Sequence, residues 1–366
     1  MGRISVLIPI FRESEFLPEI LRNLTRQDAE KEIIVVIDEP TEKTLQIKRE
    51  FEEKVKFIIN NERIGKSRAL NNAAKQASGE ILLFLDADIK IPRDSKFLER
   101  IISSMRHADI LDIKKRVIKN SFLSKMTYYE YAGFNIGSWL LSKFMSRCPG
   151  INGSAFAIRK EVFCRLGGFR NVVAEDLDIA MRSFVRRYIF MYAKDVEVQN
   201  YVPSTWGSWI KQRKRWGIGL ALWLKEWYKT LLWEGIRSPQ LFIPTLFFLF
   251  PSLIVIALNI FIPDALLYKV FIFILSFLTI KFNFVMAILL FGVIGWVLFK
   301  SLTIMIASFL IYSLVFYLLS RKIGYRFNLI EFILYYFLYS NLCLLTTFQG
   351  FILVLFNKIT VNDWKV

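Results

Sequence analysis

Short apolar runs alternate with amphipathic stretches through the first part of the chain. The apolar runs are 4–10, 32–38, 55–60 and 80–86, and the amphipathic stretches are about 14–27, 41–53 and 66–77. Runs of strand length that are apolar on both faces are typical of parallel strands covered by helices on both sides. We therefore expect an α/β domain with a mostly parallel sheet over residues 1–204.

The rest of the chain has a different pattern, with long apolar runs at 239–263, 265–300, 301–320 and 329–356. A helix of about 20 apolar residues crosses a bilayer. The first, third and fourth runs each fit one span, whereas the second, with 36 residues, fits one or two. We expect a transmembrane region with four or five spans over 239–366, preceded by amphipathic interfacial helices over 205–238.

Charge is concentrated in front of these runs. The chain carries 49 Lys and Arg against 32 Asp and Glu, a net charge of +17, and only eight of the basic residues follow residue 238. The loop 263–264 has no basic residue whereas 321–326 reads RKIGYR, so the positive-inside rule places the front domain on the cytoplasmic side of the cell membrane. The first residues, MGRISVLIPIF, are too short an apolar stretch for a signal peptide. Basic residues beside spans indicate contact with membrane lipids rather than nucleic acid.

Cysteine and histidine provide no candidate chemistry. Cys148, Cys164 and Cys343 lack metal-ligand or redox spacing, and the single histidine, His107, lies in a polar stretch.

Two carboxylates end the apolar run in ILLFLDADIK (81–90). Ligands of parallel sheets bind at the carboxyl ends of strands, where Asp86 and Asp88 can hold a hard divalent cation such as Mg²⁺ or Mn²⁺. Such an ion would bridge the protein to a diphosphate. Taken alone, a motif of this kind is more often a capped turn, here before Pro92.

Other polar residues follow the predicted strands. Pro9, Glu13 and Asp38 are expected to line the rim where a nucleotide base would lie, since carboxylates accept hydrogen bonds from a base or a ribose. Lys66 lies at a predicted helix start, which suits a phosphate, and Asp86 is expected to face the same nucleotide. The alternative for Lys66 is an exposed helix residue.

The segment WGSWIKQRKRWGIGLALWLKEWYKT (206–230) is basic and rich in tryptophan. Gln212 and Trp216 share a helix face, with Arg215 alongside. The arginine can hold a departing diphosphate and the indole can stack on an acceptor. The alternative is a helix lying in the membrane interface, and we expect this of the other tryptophans, namely Trp206, Trp209, Trp223, Trp227 and Trp233.

Seven motifs in this order resemble the inverting family-2 glycosyltransferases, particularly the membrane-integrated branch of cellulose, hyaluronan and chitin synthases and ceramide glucosyltransferase. The motifs are IPIFRES (8–14), Asp38, GKSRALNNA (65–73), DAD (86–88), NGSAFAIRKEVFCRLGGF (152–169), AED (174–176) and QRKRW (212–216). The resemblance implies a GT-A-like domain that moves a sugar from a nucleotide diphosphate sugar, with UDP-sugar expected, to a glycan or lipid acceptor. It implies a β-linked product.

The resemblance also assigns the catalytic base to Asp176, with Glu175 beside it, although these acids at a helix start also fit a helix cap. The chain departs from the family in Ala174, where threonine is frequent, and in Ile37, where a second aspartate is frequent. A polyprenyl-phosphate hexosyltransferase using a GDP- or UDP-sugar is the alternative, and it usually lacks QxxRW. A transporter would show internal repeats and polar residues at mid-membrane, whereas these apolar runs are nearly free of charge.

Overall fold

The computed structural model describes residues 2–239, 252–282 and 292–356. The strands are β1 (Ile4–Phe11), β2 (Lys31–Asp38), β3 (Lys56–Asn60), β4 (Ile81–Leu85), β5 (Ile89–Lys90), β6 (Ile110–Val117), β7 (Ala155–Arg159) and β8 (Phe190–Asn200). The first eight helices are α1 (Leu17–Thr25), α2 (Glu42–Phe51), α3 (Lys66–Gln76), α4 (Phe97–Met105), α5 (Phe122–Met145), α6 (Lys160–Arg165), α7 (Glu175–Val185) and α8 (Trp206–Arg237). The later helices are α9 (Ser252–Phe261), α10 (Asp264–Phe282), α11 (Gly292–Lys322), α12 (Leu329–Leu334) and α13 (Ser340–Leu355), with a π-helical turn at Tyr335–Tyr339 between the last two.

The eight strands form one mixed sheet in the order β3-β2-β1-β4-β7-β6-β8-β5. The four strands expected from the apolar runs pair in parallel, since β1 lies between β2 and β4, and β3 pairs with β2. Beyond them β7 runs antiparallel to both β4 and β6. The α/β prediction with its mostly parallel first half is confirmed, and it places the ends of β1, β2 and β4 at one rim.

Both faces of the sheet are covered, as the doubly apolar strands predicted. In β4, Leu83 and Leu85 belong to one buried cluster with side chains of α1 and α4, whereas Leu82 and Phe84 belong to a second cluster with α3, α6 and α7. Successive strand residues point to opposite faces, so a run apolar at every position can fill two cores.

The long helix α5 is mainly a packing element. It begins at a capping box in which Ser121 and Ser124 satisfy each other's backbone N–H groups, and such a box fixes where a helix starts. Its inner side is buried, with Tyr129 and Ala132 fully covered. These residues therefore belong to the core of the domain.

The chain divides into two compact units, Met1–Ile236 with Asn328–Val366, and Arg237–Phe327. In the second unit α11 is continuous across residue 300, where we expected two apolar runs to separate. Among the described residues, Gly295–Lys322 and Leu329–Leu355 are long and apolar enough to cross a membrane, and Ile254–Phe261 with Asp264–Lys281 form a further pair bent by 85°. Residues 240–251 and 283–291 of the first two predicted runs lie outside the described residues, so four or five spans stays a prediction.

Candidate active site

A small cleft opens at the carboxyl ends of β1 and β4. Its polar lining comes from Lys66, Asp86, Glu175 and Asp176, with Pro9 at one wall. These side chains come from the end of β1, the start of α3, the end of β4 and the start of α7. The structure therefore brings together five of the eleven residues predicted for the site.

Lys66 is the central cation of the cleft. Its Nζ lies 2.8 Å from Asp86 Oδ1 and 3.1 Å from Glu175 Oε1. Burial alone would lower the pKa of Lys66, but the charges of Asp86 and Glu175 outweigh it and hold the pKa above its ordinary value. Lys66 is therefore a cation at neutral pH, and it is the first residue of α3, as predicted.

Asp38 holds the turn that leads to Lys66. It is 4% exposed, and its Oδ2 accepts hydrogen bonds from the backbone N–H groups of Ile64 (3.1 Å) and Gly65 (2.9 Å). Its Oδ1 accepts from Asn60 Nδ2 at 2.9 Å. Gly65 has φ = 90°, a conformation that favours glycine. Asp38 thus stabilises the turn before Lys66, and its contact with a nucleotide base stays a prediction.

Asp176 is held by two backbone donors. Gly153 N donates to Asp176 Oδ2 and Leu177 N to Oδ1, both at 2.8 Å. A Cβ on residue 153 would lie 2.8 Å from Asp176 Oδ2, so only glycine fits beside the carboxylate. Burial and the charge of Glu175 raise the pKa of Asp176 to about 6. Asp176 is therefore ionised at pH 7 but more basic than an ordinary aspartate.

Asp86 and Asp88 bring like charges together at the end of β4. Asp88 reaches solvent, yet partial loss of hydration and the charge of Asp86 raise its pKa above the ordinary range. Two carboxylates in this state suit a divalent cation, which would relieve their repulsion. Among the described residues there is no cluster of three or more His, Cys, Asp or Glu side chains suited to a metal ion. The protein thus offers two carboxylates, and a ligand's phosphate oxygens and water would supply the remaining contacts.

The segment after β1 reaches the same rim but not the cleft itself. Ser14 Oγ donates to the backbone oxygen of Ala87 at 2.6 Å, which joins this segment to the two aspartates. Glu13 is exposed and accepts a hydrogen bond from Thr41 Oγ1 at 3.3 Å. Its place in donor binding stays a prediction.

The QRKRW motif lies on α8, beside the cleft. The charge of Arg215 acts on Asp88 and opposes the rise of its pKa, so Arg215 lies near the aspartate pair. Gln212 is half-buried, and its Oε1 lacks a hydrogen-bond partner among the described residues. Trp216 is half-buried beneath the guanidinium of Arg213, whose Cζ is 4.3 Å from the ring centroid.

Helix α8 packs directly on the segment that carries Asp176. A Cβ on Gly219 would lie 3.2 Å from Ala174 Cβ, so small residues at both positions permit a close approach. Trp223 Nε1 donates to the backbone oxygen of Leu177 at 3.1 Å. The departure from threonine at Ala174 therefore coincides with a helix contact.

The expectation of membrane-interface tryptophans needs correction at Trp209. This side chain is 2% exposed and packs inside the protein rather than anchoring in an interface. Trp223 is half-buried, with its Nε1 donating to the backbone oxygen of Leu177, so its place in an interface stays a prediction. Trp206 and Trp233 remain exposed, as an anchor requires. The number of tryptophans in the sequence does not distinguish buried from exposed ones, because both kinds lie on the same helix.

Four residues of this region were missed from the sequence. Gly153 lies within the NGSAF motif, but its role as a backbone donor depends on the distant Asp176. Arg213, Glu130 and Tyr339 form a buried hydrogen-bonded group. No local signal distinguishes these three from neighbouring basic, acidic and aromatic residues.

Comparison with protein families concerns the front part of the chain. Residues 5–165 match the family described as Glycosyl transferase family 2. The chain is 30% identical over 237 residues to the probable glycosyltransferase YdaM of Bacillus subtilis, covering 60% of this chain and 55% of that protein. It is 29% identical over 223 residues to the poly-beta-1,6-N-acetyl-D-glucosamine synthase of Staphylococcus epidermidis, covering 59% and 54%. The chain thus matches about half the length of these curated relatives.

A solved structure supports the fold. The mannosyltransferase PcManGT from Pyrobaculum calidifontis, in complex with GDP-Man and Mn²⁺, superposes with a TM-score of 0.52. It is 24% identical and covers 62% of this chain and 64% of that one. The front domain accordingly has the GT-A-like fold, as expected from the sequence.

Proposed function

We propose that this chain, which carries a family 2 glycosyltransferase domain over residues 5–165, is an inverting hexosyltransferase of the cytoplasmic membrane face. It moves a sugar from a nucleotide diphosphate sugar, with a UDP-sugar as the expected donor, to a glycan or lipid acceptor and forms a β-glycosidic bond. One observation carries this proposal. Lys66, Asp86 and the Glu175-Asp176 pair meet in one cleft at the carboxyl ends of the parallel strands β1 and β4.

The base in this mechanism is Asp176. Its carboxylate is oriented by Gly153 N and Leu177 N, and its raised pKa makes it a better proton acceptor than an ordinary aspartate. It takes the proton of the acceptor hydroxyl as that oxygen attacks the anomeric carbon. Attack from the face opposite the diphosphate inverts the anomeric configuration.

The diphosphate is held by positive charge on the other side of the cleft. Lys66 lies between Asp86 and Glu175 and can turn its ammonium toward the phosphates, and Arg215 lies near Asp88. A Mg²⁺ or Mn²⁺ ion would be held by Asp86 and Asp88, and it supplies positive charge that stabilises the leaving diphosphate. Pro9, Glu13 and Asp38 form the side of the rim assigned to the nucleoside.

The acceptor side is assigned to Gln212 and Trp216 on α8. This helix joins the family 2 domain to segments long and apolar enough for a membrane, so an acceptor would enter beside membrane lipids. The relatives named as polysaccharide synthases favour a glycan acceptor, since the S. epidermidis protein is a poly-beta-1,6-N-acetyl-D-glucosamine synthase.

The test uses the full chain in detergent and measures its melting temperature with UDP or GDP, each with and without Mn²⁺ or Mg²⁺. A ligand that binds only the folded state raises this temperature. The expected result is that UDP raises the melting temperature only when the metal is present. A second assay should then detect transfer of sugar from a UDP-sugar by the protein in membranes. Stabilisation by GDP alone favours the polyprenyl-phosphate hexosyltransferase, and no response to either nucleotide contradicts the proposal.

A further inference from the structure

A buried polar group joins three helices on the acceptor side of the cleft. We call it the Tyr339 joint, and it consists of Thr127 and Glu130 on α5, Trp209 and Arg213 on α8, and Tyr339 at the end of the π-helical turn. Tyr339 is 1% exposed and Trp209 is 2% exposed. A polar group this deep in the protein is costly unless its hydrogen bonds are made.

The hydroxyl of Tyr339 is the centre of the joint. It accepts from Arg213 Nη2 at 2.9 Å and from Trp209 Nε1 at 3.0 Å, and it donates to Glu130 Oε2 at 2.8 Å. Thr127 Oγ1 lies 2.9 Å away. One oxygen therefore contacts side chains of α5 and α8 at the same time.

Arg213 links this centre to the QRKRW motif. Its Nη2 is 2.5 Å from Glu130 Oε2, and the same guanidinium lies over the ring of Trp216 with Cζ 4.3 Å from the centroid. A buried cation over an indole face is attracted by the ring's quadrupole. The position of Trp216 thus depends on a guanidinium that Glu130 and Tyr339 fix from the other side.

Two backbone features bring the C-terminal helix, which consists of α12, the π-helical turn and α13, into contact with α8. The helix has a π-turn at Tyr335–Tyr339, and such turns change the face on which the following side chains lie and are frequent at functional sites. Eleven residues later, a Cβ on Gly350 would lie 2.4 Å from the backbone carbon of Gly217. The two helices are in direct backbone contact, so a shift of one displaces the other.

We propose that Arg213, Glu130 and Tyr339 are positioning residues that hold Trp216 at the acceptor side of the cleft. They make the apolar C-terminal helix a part of the active-site framework. This inference rests on the proposed function, because it assigns the joint to the sugar-transfer step. None of the three is expected to touch the donor.

The experiment compares Tyr339→Phe with Tyr317→Phe, a matched removal of one hydroxyl on another apolar helix, where Tyr317 is 42% exposed. In Tyr339→Phe, kcat for sugar transfer should fall about tenfold or more, since several buried hydrogen bonds lose their partner. The donor KM and the affinity for UDP with Mn²⁺ should change less than about twofold. Arg213→Lys, which keeps the charge but not the planar fork, should show the same split.

A second readout is independent of activity. The protein is labelled with 5-fluorotryptophan, and the resonance of Trp216 among the nine tryptophans is assigned by Trp216→Phe. Tyr339→Phe should move this ¹⁹F resonance, and Tyr317→Phe should leave it in place. The result supports positioning even when the donor has yet to be identified.

Three outcomes would overturn the inference. They are unchanged transfer in Tyr339→Phe, an unmoved Trp216 resonance, or parallel losses of kcat, UDP affinity and melting temperature, which indicate a purely structural role. Failure of the proposed function would give a different set of results. Neither UDP nor GDP would then raise the melting temperature of the wild-type protein, whereas Tyr339→Phe would still move the ¹⁹F resonance of Trp216.

Discussion

Replacing Gly153 by alanine should displace the carboxylate of Asp176 while leaving residue 176 itself unchanged. The new Cβ would lie 2.8 Å from Asp176 Oδ2, 2.9 Å from its Cβ and 3.2 Å from its Cγ. Because close-packed carbon and oxygen atoms rarely approach within about 3.4 Å, the carboxylate must move by about half an ångström. The hydrogen bond from Gly153 N to Oδ2, now 2.8 Å, lengthens or breaks as a result.

The substitution should slow the sugar-transfer step rather than weaken donor binding. Loss of one such hydrogen bond is worth about 1 kcal/mol, and a misplacement of about 1 Å can reduce a rate about 100-fold. We therefore expect kcat for transfer to fall about 10- to 100-fold, with the affinity for UDP and Mn²⁺ unchanged. In an Asp176→Asn background the same substitution should have little further effect, since the base is already gone.

The matched control is Gly207→Ala, at the start of α8, where a Cβ meets no atom within 4 Å. The assay measures nucleotide release from the donor in the presence of acceptor. Wild-type kcat in Gly153→Ala, or an equal loss in Gly207→Ala, would refute the reasoning.

Three further predictions follow from the same geometry. Burial and the charge of Glu175 raise the pKa of Asp176 to about 6, and the base acts as the carboxylate. With donor and Mn²⁺ saturating, kcat should therefore be level above about pH 6 and fall about tenfold per unit below it, and a profile level down to pH 4.5 contradicts the assignment. Asp88→Asn should abolish the Mn²⁺-dependent part of stabilisation by UDP, while the exposed control Asp195→Asn retains it; retention in both variants rules out Asp88 as a metal ligand. Gly350→Ala places a Cβ 2.4 Å from the backbone of Gly217, so the free energy of unfolding should fall by about 1–3 kcal/mol, and a melting temperature equal to that of wild type would show that the helices do not pack this closely.

Local pattern was sufficient for the front half of the sheet. The runs that became β1 to β4 are apolar at nearly every position, and α1 to α3 fall within the amphipathic stretches between them. Such periodicity depends only on neighbouring residues, so it can be read without the fold. The antiparallel pairing of β7 with β4 and β6 has no comparable local signal, because it depends on how distant segments meet.

In the candidate active site, too, some residues could be predicted from the local sequence and others could not. Lys66 and Asp86 were predicted because they begin a helix and follow a strand, where ligands of parallel sheets bind. Asp176 was predicted because its AED motif resembles the family-2 glycosyltransferases. Gly153 and Arg213 were not, since each acts through a partner far away in the chain. Arg213 meets Glu130 at a separation of 83 residues and Tyr339 at 126.

The buried position of Trp209 has the same origin. Its indole lies against Tyr339, 130 residues later, and helix α8 alone presents it like the exposed Trp206. The task of Asp38 likewise became visible only with the turn at Ile64 and Gly65. The sequence therefore predicted residues that the structure brings together at the cleft, but not the residues that support them.

The most direct test of the central claim is Asp176→Asn, measured for both donor binding and transfer. Asparagine keeps the shape of the side chain but cannot take a proton from an acceptor hydroxyl. The account predicts that the variant binds UDP with Mn²⁺ as wild-type protein does, yet transfers sugar at least about 100 times more slowly. Normal transfer by this variant would contradict the assignment of the base and with it the proposed mechanism.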